Sequence, residues 1–472
     1  MSKVVSNNYI QTTLGELVSK EKKSIISGPF GSNIGKIFFK ETGIPVIRGN
    51  NLSTGGEKFK DNGFVFISKE KADELNCYAI KNDLIFTAVG TIGQVGIMDD
   101  NLKFDEYVIS NKQLRVRFDN EKITPLFAYY WFSSYWIQKL ILQRNVGSTV
   151  PLINLSVLKG LPITLPKSIG VQNGIVEILE NIFTKIELNN CINAELEAMA
   201  KTIYDYWFVQ FDFPDKNGKP YKTNGGKMVW NEELKRQIPE GWEVKRMAEW
   251  INIDKSGDWG KEEAEGNFTK KVICFRGADI NGLNGLDELK PPVRYILEKN
   301  TFKTLQSHDL IIEISGGSPT QSTGRLAFIT NATIKRFEHP LICSNFCRPV
   351  SMRNKKLLYN FVYCWDSLYK NGAFFGYEGK TSGIKNLLLD SFVNSYSTVV
   401  PDEKVVDQFY ELMENIQEKK QTALAENQKL SNLRDWLLPM LMNGQVTVGK
   451  AYEQVAEMLG MVAEGEMEYK KI

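Results

Sequence analysis

Histidine is almost missing from this sequence: His308 and His339 are the only two in 472 residues. A His-based metal centre, or a nucleophile activated by an imidazole, therefore has little material to work with. The six cysteines (Cys77, Cys191, Cys274, Cys343, Cys347 and Cys364) show no paired-knuckle spacing. Cys343 and Cys347 have His339 nearby, which leaves one zinc arrangement open beside the plainer expectation of reduced, buried thiols. No run of about 18 apolar residues is present to span a bilayer, and "MSKVVSNNYIQTTLGELV" lacks the apolar core of a signal peptide. The expectation is a cytoplasmic chain with no membrane contact. The GxxxxGK[ST] phosphate loop is absent. So is an Asn/Asp-Pro-Pro-aromatic tetrad to hold a flipped adenine, because the one Pro-Pro step, Pro291-Pro292, lies between Lys290 and Val293. Gly90, Gly93 and Gly96 have the spacing of a dinucleotide fingerprint, but "IMDDNLKFDEY" follows them as a turn into another strand where a helix is needed. Nor is there an excess of charge of one sign. Lys and Arg number 58 against 56 Asp and Glu, a net charge of +2, which neither demands nor excludes a polyanionic partner.

What the sequence does contain is itself, twice. "SGPFGS" at 27–32 and "SGDWGK" at 256–261 share the order serine, glycine, aromatic, glycine. The match holds along the chain: "LGEL" (14–17) with "MAEW" (247–250), and "VIRGNNL" (46–52) with "CFRGADI" (274–280). "NDLIFTAVGTIGQVGIM" (82–98) answers "HDLIIEISGGSPTQSTGRLAFI" (308–329), "ISN" (109–111) answers "CSN" (343–345), and "GSTVPLINL" (147–155) answers "GKTSGIKNL" (379–387). Each pair is about 230 residues apart, so the chain is two diverged copies of one unit.

Each copy opens with β-branched and aromatic runs such as "GFVFIS" and "QLRVRF", punctuated by Gly and Asn, which predict strands and turns. A helical patch follows, "PLFAYYWFSSYWIQKLIL" in one copy and "KKLLYNFVYCWDSLYK" in the other, and each copy closes on a strand, "LKGLPITLP" or "VNSYSTVVP". The period then changes from 2 to 3.5. Ile175, Ile182, Leu196 and Ile203 share one heptad position, with Ile178, Ile192, Met199 and Tyr206 on the other and Lys185 and Asn189 as polar exceptions. In the second copy Val405, Leu412 and Leu433 alternate with Phe409, Ile416, Leu430 and Leu437 around Lys419 and Glu426. Helices of roughly 35 to 40 residues, about 55 to 60 Å each, cannot bury such seams alone, so antiparallel pairing is expected. The fold class is α+β, with two repeated mixed α/β domains separated by two long coiled-coil helices.

"SGPFGSNI", "KNDLIFTAVGTIGQVGI", "LPITLP" followed by Gln172, "IYDYWFVQFDFPD", "IPEGWEV" and "LRDWLLPMLMNGQV" stand in an order that resembles the specificity (S) subunit of type I restriction–modification systems. The resemblance covers essentially the whole chain. It implies target-recognition domains at 1–167 and 241–400, spacer helices at 168–210 and 401–442, a linker at 211–240 and a C-terminal tail at 443–472. It also implies a non-catalytic subunit. Each domain would read half of a bipartite, asymmetric sequence in double-stranded DNA, and the helices would dock two methyltransferase (M) subunits. Restriction/translocase (R) subunits would join the full complex. S-adenosylmethionine, ATP and Mg would belong to those partners and no cofactor to this chain. The second copy departs from the pattern in lacking a counterpart of Gln172 and in its longer "GGSPTQSTG" loop. A duplicated scaffold, or a fragment of a fused type II restriction–methylation enzyme, are the alternative readings.

Polar and basic residues in the repeated loops are the candidates for DNA contact, since phosphate contacts position a protein and forked side chains read base edges. In the first copy these are Ser32, Asn33, Lys36, Arg48, Asn50, Asn51, Thr91, Gln94, Lys112 and Ser148. In the second they are Lys261, Arg276, Asp279, Gln321, Arg325, Lys380 and Thr381. Arg48 and Arg276 stand apart because both copies keep "RG" after a strand, which a shared structural salt bridge would explain equally well. Phe30 and Trp259 are expected as internal anchors of their turns. Phe183, Ile186, Tyr204, Trp207, Phe208, Trp436 and Leu437 are the candidates for partner binding, as apolar residues of the helices beyond the seam.

Overall fold

The structure, a computed structural model, describes residues 8–53, 58–100, 102–287, 289–316, 320–381 and 384–458. The chain forms two compact units, one of residues 1–185 with 430–472 and the other of residues 186–429.

The first unit is built on two four-stranded sheets. In one, strands Ile25–Ser27, Gln113–Val116, Leu84–Thr87 and Val95–Ile97 are neighbours in that order; in the other, Val65–Ile67, Ile44–Ile47, Tyr107–Ile109 and Tyr78–Ala79. Leu84–Thr87 and Gln113–Val116 are buried along their whole length; the first reads accordingly as an apolar run without alternation, whereas the second also buries Gln113 and Arg115. Burying Arg115 in such a strand requires an anion, and Asp83 supplies it. Asp83 is 0% exposed and accepts from Arg117 Nε at 2.8 Å, Arg117 Nη2 at 2.9 Å and Arg115 Nη1 at 3.4 Å. Burial lowers the Arg115 pKa, while the Asp83 hydrogen bonds raise that of Arg117.

The second unit repeats these pairings. "VIRG" and "CFRG" each lie parallel to the strand that leads into the Ser-Asn step: Val46 pairs with Val108 and Ile47 with Ile109, as Cys274 pairs with Ile342 and Phe275 with Cys343. Strand Asp309–Glu313 sits between Leu326–Phe328 and Cys347–Met352, as Leu84–Thr87 sits between Val95–Ile97 and Gln113–Val116. The opening and closing strands pair antiparallel in both copies, Tyr9–Thr13 with Pro162–Pro166 and Glu243–Arg246 with Ser397–Val400. The stretch read as a linker carries a hairpin, Met228–Asn231 with Arg236–Pro239. Phe213 stacks on Tyr221 at 4.6 Å and on Trp242 at 4.9 Å, which ties the segment to the core of this unit.

The long helices run Ile169–Tyr204, 36 residues continued by a π turn over Asp205–Val209, and Glu403–Met442, 40 residues. Gln172 fixes the start of the first. Its fully buried carboxamide accepts from Thr124 N and donates to Pro166 O and Lys122 O. The second helix lacks that device and is capped by Asp402, which accepts from Lys404 N and Val405 N. Within the second unit the helices are antiparallel. Asn189 donates to Glu426 and Asn427, Lys420 pairs with Glu197 at 2.7 Å, and Tyr204 meets Phe409.

One half of the expected seam is displaced by a residue. Ile192, Met199 and Tyr206 are exposed, and the inward positions are Leu179, Asn193 and Ala200 together with the half-buried Ile186 and Trp207. On the second helix Leu412 is exposed and Lys419 faces solvent, whereas Met413 and Lys420 are buried. The true stripe passes through Asn193 and Ala200, which hydropathy does not mark, while apolar residues of the next stripe mimic it.

Candidate nucleic-acid interface

The glycine of the opening turn is positioned by the Ser-Asn step of the same copy. A Cβ on Gly28 would lie 1.8 Å from Ser110 O, and one on Gly257 2.0 Å from Ser344 O. Both turns are thus pressed against the matching backbone, and this close approach explains their glycines. The aromatic residue between the glycines does not anchor the turn as expected. Phe30 is 83% exposed, and Trp259 is 36% exposed with the Arg294 guanidinium 4.0 Å above its ring.

In the first unit the "RGNN" loop, the 84–97 hairpin and the segment from Ser110 to Gln113 border one cleft of about 580 Å³. Five of the ten candidates of that copy line it: Arg48, Asn50, Thr91, Gln94 and Lys112. Ser32, Asn33 and Lys36 are exposed on the adjoining 3₁₀ turns, whose Ile34 reaches the cleft wall. Ser148 is exposed on a separate loop, and Asn51 is fully buried. Asn51 is therefore a loop builder. Its Oδ1 accepts from Arg48 N, and its Nδ2 donates to Lys60 O and Asn62 O.

The second copy uses the same bond from position four to position one with a different residue. Asp279 accepts from Arg276 N at 2.9 Å and also from its Nε at 2.8 Å and Nη2 at 2.9 Å. Asp279 is buried and holds the Arg276 pKa above its ordinary value. Arg325 is bound in the same manner by buried Glu313, at 2.8 and 2.6 Å, and its pKa is likewise raised. Both arginines, candidates for DNA contact, carry a carboxylate partner, which for Arg276 is the structural salt bridge left open as the alternative. Lys261 is exposed, 3.8 Å from Glu265. The Gln321 carbonyl accepts from Lys385. Lys380 and Thr381 belong to the hairpin strand Glu378–Thr381, and their side chains lie outside the described residues.

Among the partner-binding candidates, Tyr204, Phe208 and Leu437 are buried, the first two in the core around Phe409. Trp207 packs against that core, Phe183 lies under the Lys58 ammonium, and Ile186 is in the seam. Trp436, 45% exposed, is the one surface residue of the set. The apolar surface that sequence reasoning missed is the outer stripe of the first helix, Leu188, Ile192 and Met199, each 43 to 53% exposed.

No group of three His, Cys, Asp or Glu among the described residues is placed to hold a metal. Burial pushes the Cys77 thiol to about 11 and those of Cys274 and Cys347 to about 12, which keeps them protonated. No helix among the described residues is long and apolar enough to cross a membrane.

Residues 11–198 match the family described as the type I restriction modification DNA specificity domain. Over 377 residues, 78% of each chain, the protein is 24% identical to the type I restriction enzyme MjaIX specificity subunit of Methanocaldococcus jannaschii. Residues 11–198 thus carry the type I restriction modification DNA specificity domain. A second relative, the HindI specificity subunit of Haemophilus influenzae, is 24% identical over 412 residues, 78% of this chain and 87% of its own. The fold is that of the type I restriction–modification S subunit from M. genitalium, with a TM-score of 0.51 at 16% identity over 93% of this chain and 98% of that one.

Proposed function

We propose that this chain is a specificity subunit that reads a bipartite, asymmetric duplex sequence, with one repeated domain for each half-site. The observation that carries the reading is the strand-by-strand repeat. Each unit presents its own glycine turn, "RG" loop and central hairpin from equivalent strands, so each has a complete loop set with which to contact DNA. The cation-bearing cleft beside Arg48 and Lys112 favours this over a scaffold with no nucleic-acid partner. Deleting the gene in a host that retains the partner subunits is expected to abolish one methylated bipartite motif in single-molecule methylation mapping. Exchanging the second repeat for that of another specificity subunit is expected to change one half of that motif alone. Loss of no motif overturns the reading.

Two methyltransferase subunits, and R subunits in the full complex, are the proposed partners, bringing S-adenosylmethionine, ATP and Mg in a cytoplasmic assembly. The Leu188, Ile192 and Met199 stripe is the proposed site for one methyltransferase, because exposed apolar residues in register on a helix need cover. Replacing Ile192 and Met199 with Asp is expected to cut copurified methyltransferase about tenfold with little change in melting temperature. Undiminished copurification removes the stripe from the interface.

A further inference from the structure

Four positions correspond between the repeats, and three of them differ in charge. Arg48 corresponds to Arg276 and Asn51 to Asp279, since each pair closes the same 3₁₀ turn after the same strand. Thr87 corresponds to Glu313 and Gln94 to Arg325, since Thr87 N donates to Gln94 O as Glu313 N donates to Arg325 O across the same hairpin. In the second unit both cations are neutralised from within, by Asp279 and Glu313. In the first unit both carboxylate positions are neutral. Arg48 makes no ion pair among the described residues; its guanidinium donates one bond there, Nη2 to Gly63 O at 3.2 Å, and has a buried Nε–H without a partner. It lines the 580 Å³ cleft with Lys112, and no described carboxylate lines that cleft.

We propose that Arg48 is a phosphate contact of the first domain, and that Asp279 and Glu313 withhold Arg276 and Arg325 of the second domain from DNA. The proposal rests on the DNA-reading function given above and adds that the two domains bind unequally. The first contributes a salt-sensitive cationic cleft, and the second meets its half-site without these two charges. A guanidinium already bound at two nitrogens by a buried carboxylate has its charge compensated and its fork occupied. An unpaired one at a cleft wall gains a partner when a phosphate arrives, and counterions are released from the duplex.

The test uses the full chain assembled with its methyltransferase partners. A fluorescent duplex carrying the mapped motif, and a scrambled duplex of the same composition, are titrated over a range of salt concentrations. Arg48→Gln is expected to weaken binding to both duplexes on the order of tenfold, and to make the slope of log K against log salt shallower by about 0.9. Arg48→Lys should restore most of that slope. Asp279→Asn, which installs the residue found at Asn51 and so keeps the bond to the Arg276 backbone, is expected to steepen the slope by a similar amount. An unchanged slope in Arg48→Gln, or a loss confined to the motif, overturns the phosphate assignment and leaves the DNA-reading function standing. An unchanged slope in Asp279→Asn overturns the withholding of Arg276, and it reads out even where Arg48→Gln does not assemble. A wild-type complex with no affinity for either duplex overturns the underlying function as well.

Discussion

Replacing Gly28 with alanine is expected to destabilise the first unit by about 3 kcal/mol or more, at the upper end of what one added methyl group costs in a packed site. The clash is with backbone, which has no rotamer to escape into. The new Cβ would stand 1.8 Å from Ser110 O and 2.6 Å from its carbonyl carbon, and Gly28 N is bonded to Gln113 O at 2.9 Å on the same neighbouring segment. Gly257→Ala should act on the second unit in the same way, with the Cβ 2.0 Å from Ser344 O. Gly376→Ala is the control, since nothing lies within 4 Å of its added Cβ, and it should stay within about 0.5 kcal/mol of wild type. Urea unfolding followed by tryptophan fluorescence measures all three. A Gly28→Ala protein as stable as the control would mean that the turn is free to move away from Ser110.

Removing the buried anion of the first unit has an effect of comparable size. Asp83→Asn keeps an acceptor for Ile80 N, 3.0 Å away, but leaves Arg115, 3% exposed, without its counter-charge. Breaking a buried pair from one side costs about 3 to 5 kcal/mol. Arg117 is less affected, because its more exposed guanidinium also reaches Glu21 at 3.3 Å. The combined variant Asp83→Leu with Arg115→Met removes both charges and is expected to recover a large part of the loss, as apolar replacements of buried pairs commonly do. Equal stability of the single variant and wild type, by the same urea unfolding, would show that water reaches Arg115.

The repeat was legible in the sequence because it is carried by glycines and by strand-ending motifs, which backbone geometry constrains directly. The first glycine of "SGPFG" and of "SGDWG" is required because Ser110 O and Ser344 O leave no room for a side chain. The helices were legible in length and only half legible in facing, because Ile192 and Met199 are apolar and outside while Asn193 and Lys420 are polar and inside. Phe30 misled for the same reason: apolar residues need not be buried. The pairing of Arg276 with Asp279 lay in plain view at i, i+3. The equivalence of Gln94 with Arg325 did not, since the second hairpin has a longer loop and only the cross-strand bonds fix the alignment.

The first unit is discontinuous, and that carries a consequence for synthesis. Tyr9 donates to Leu441 O, Gly174 packs on Val448, and the buried face of Ile175, Leu179 and Ile182 belongs to the same unit as Leu437 and Leu441. Those partners are translated only after the roughly 240 residues of the second unit. At about 5–20 residues per second, the nascent first unit waits roughly 12–50 s for Leu441 and Val448, the partners of Tyr9 and Gly174. A ribosome stalled after residue 429 would release a chain with the first unit unfinished.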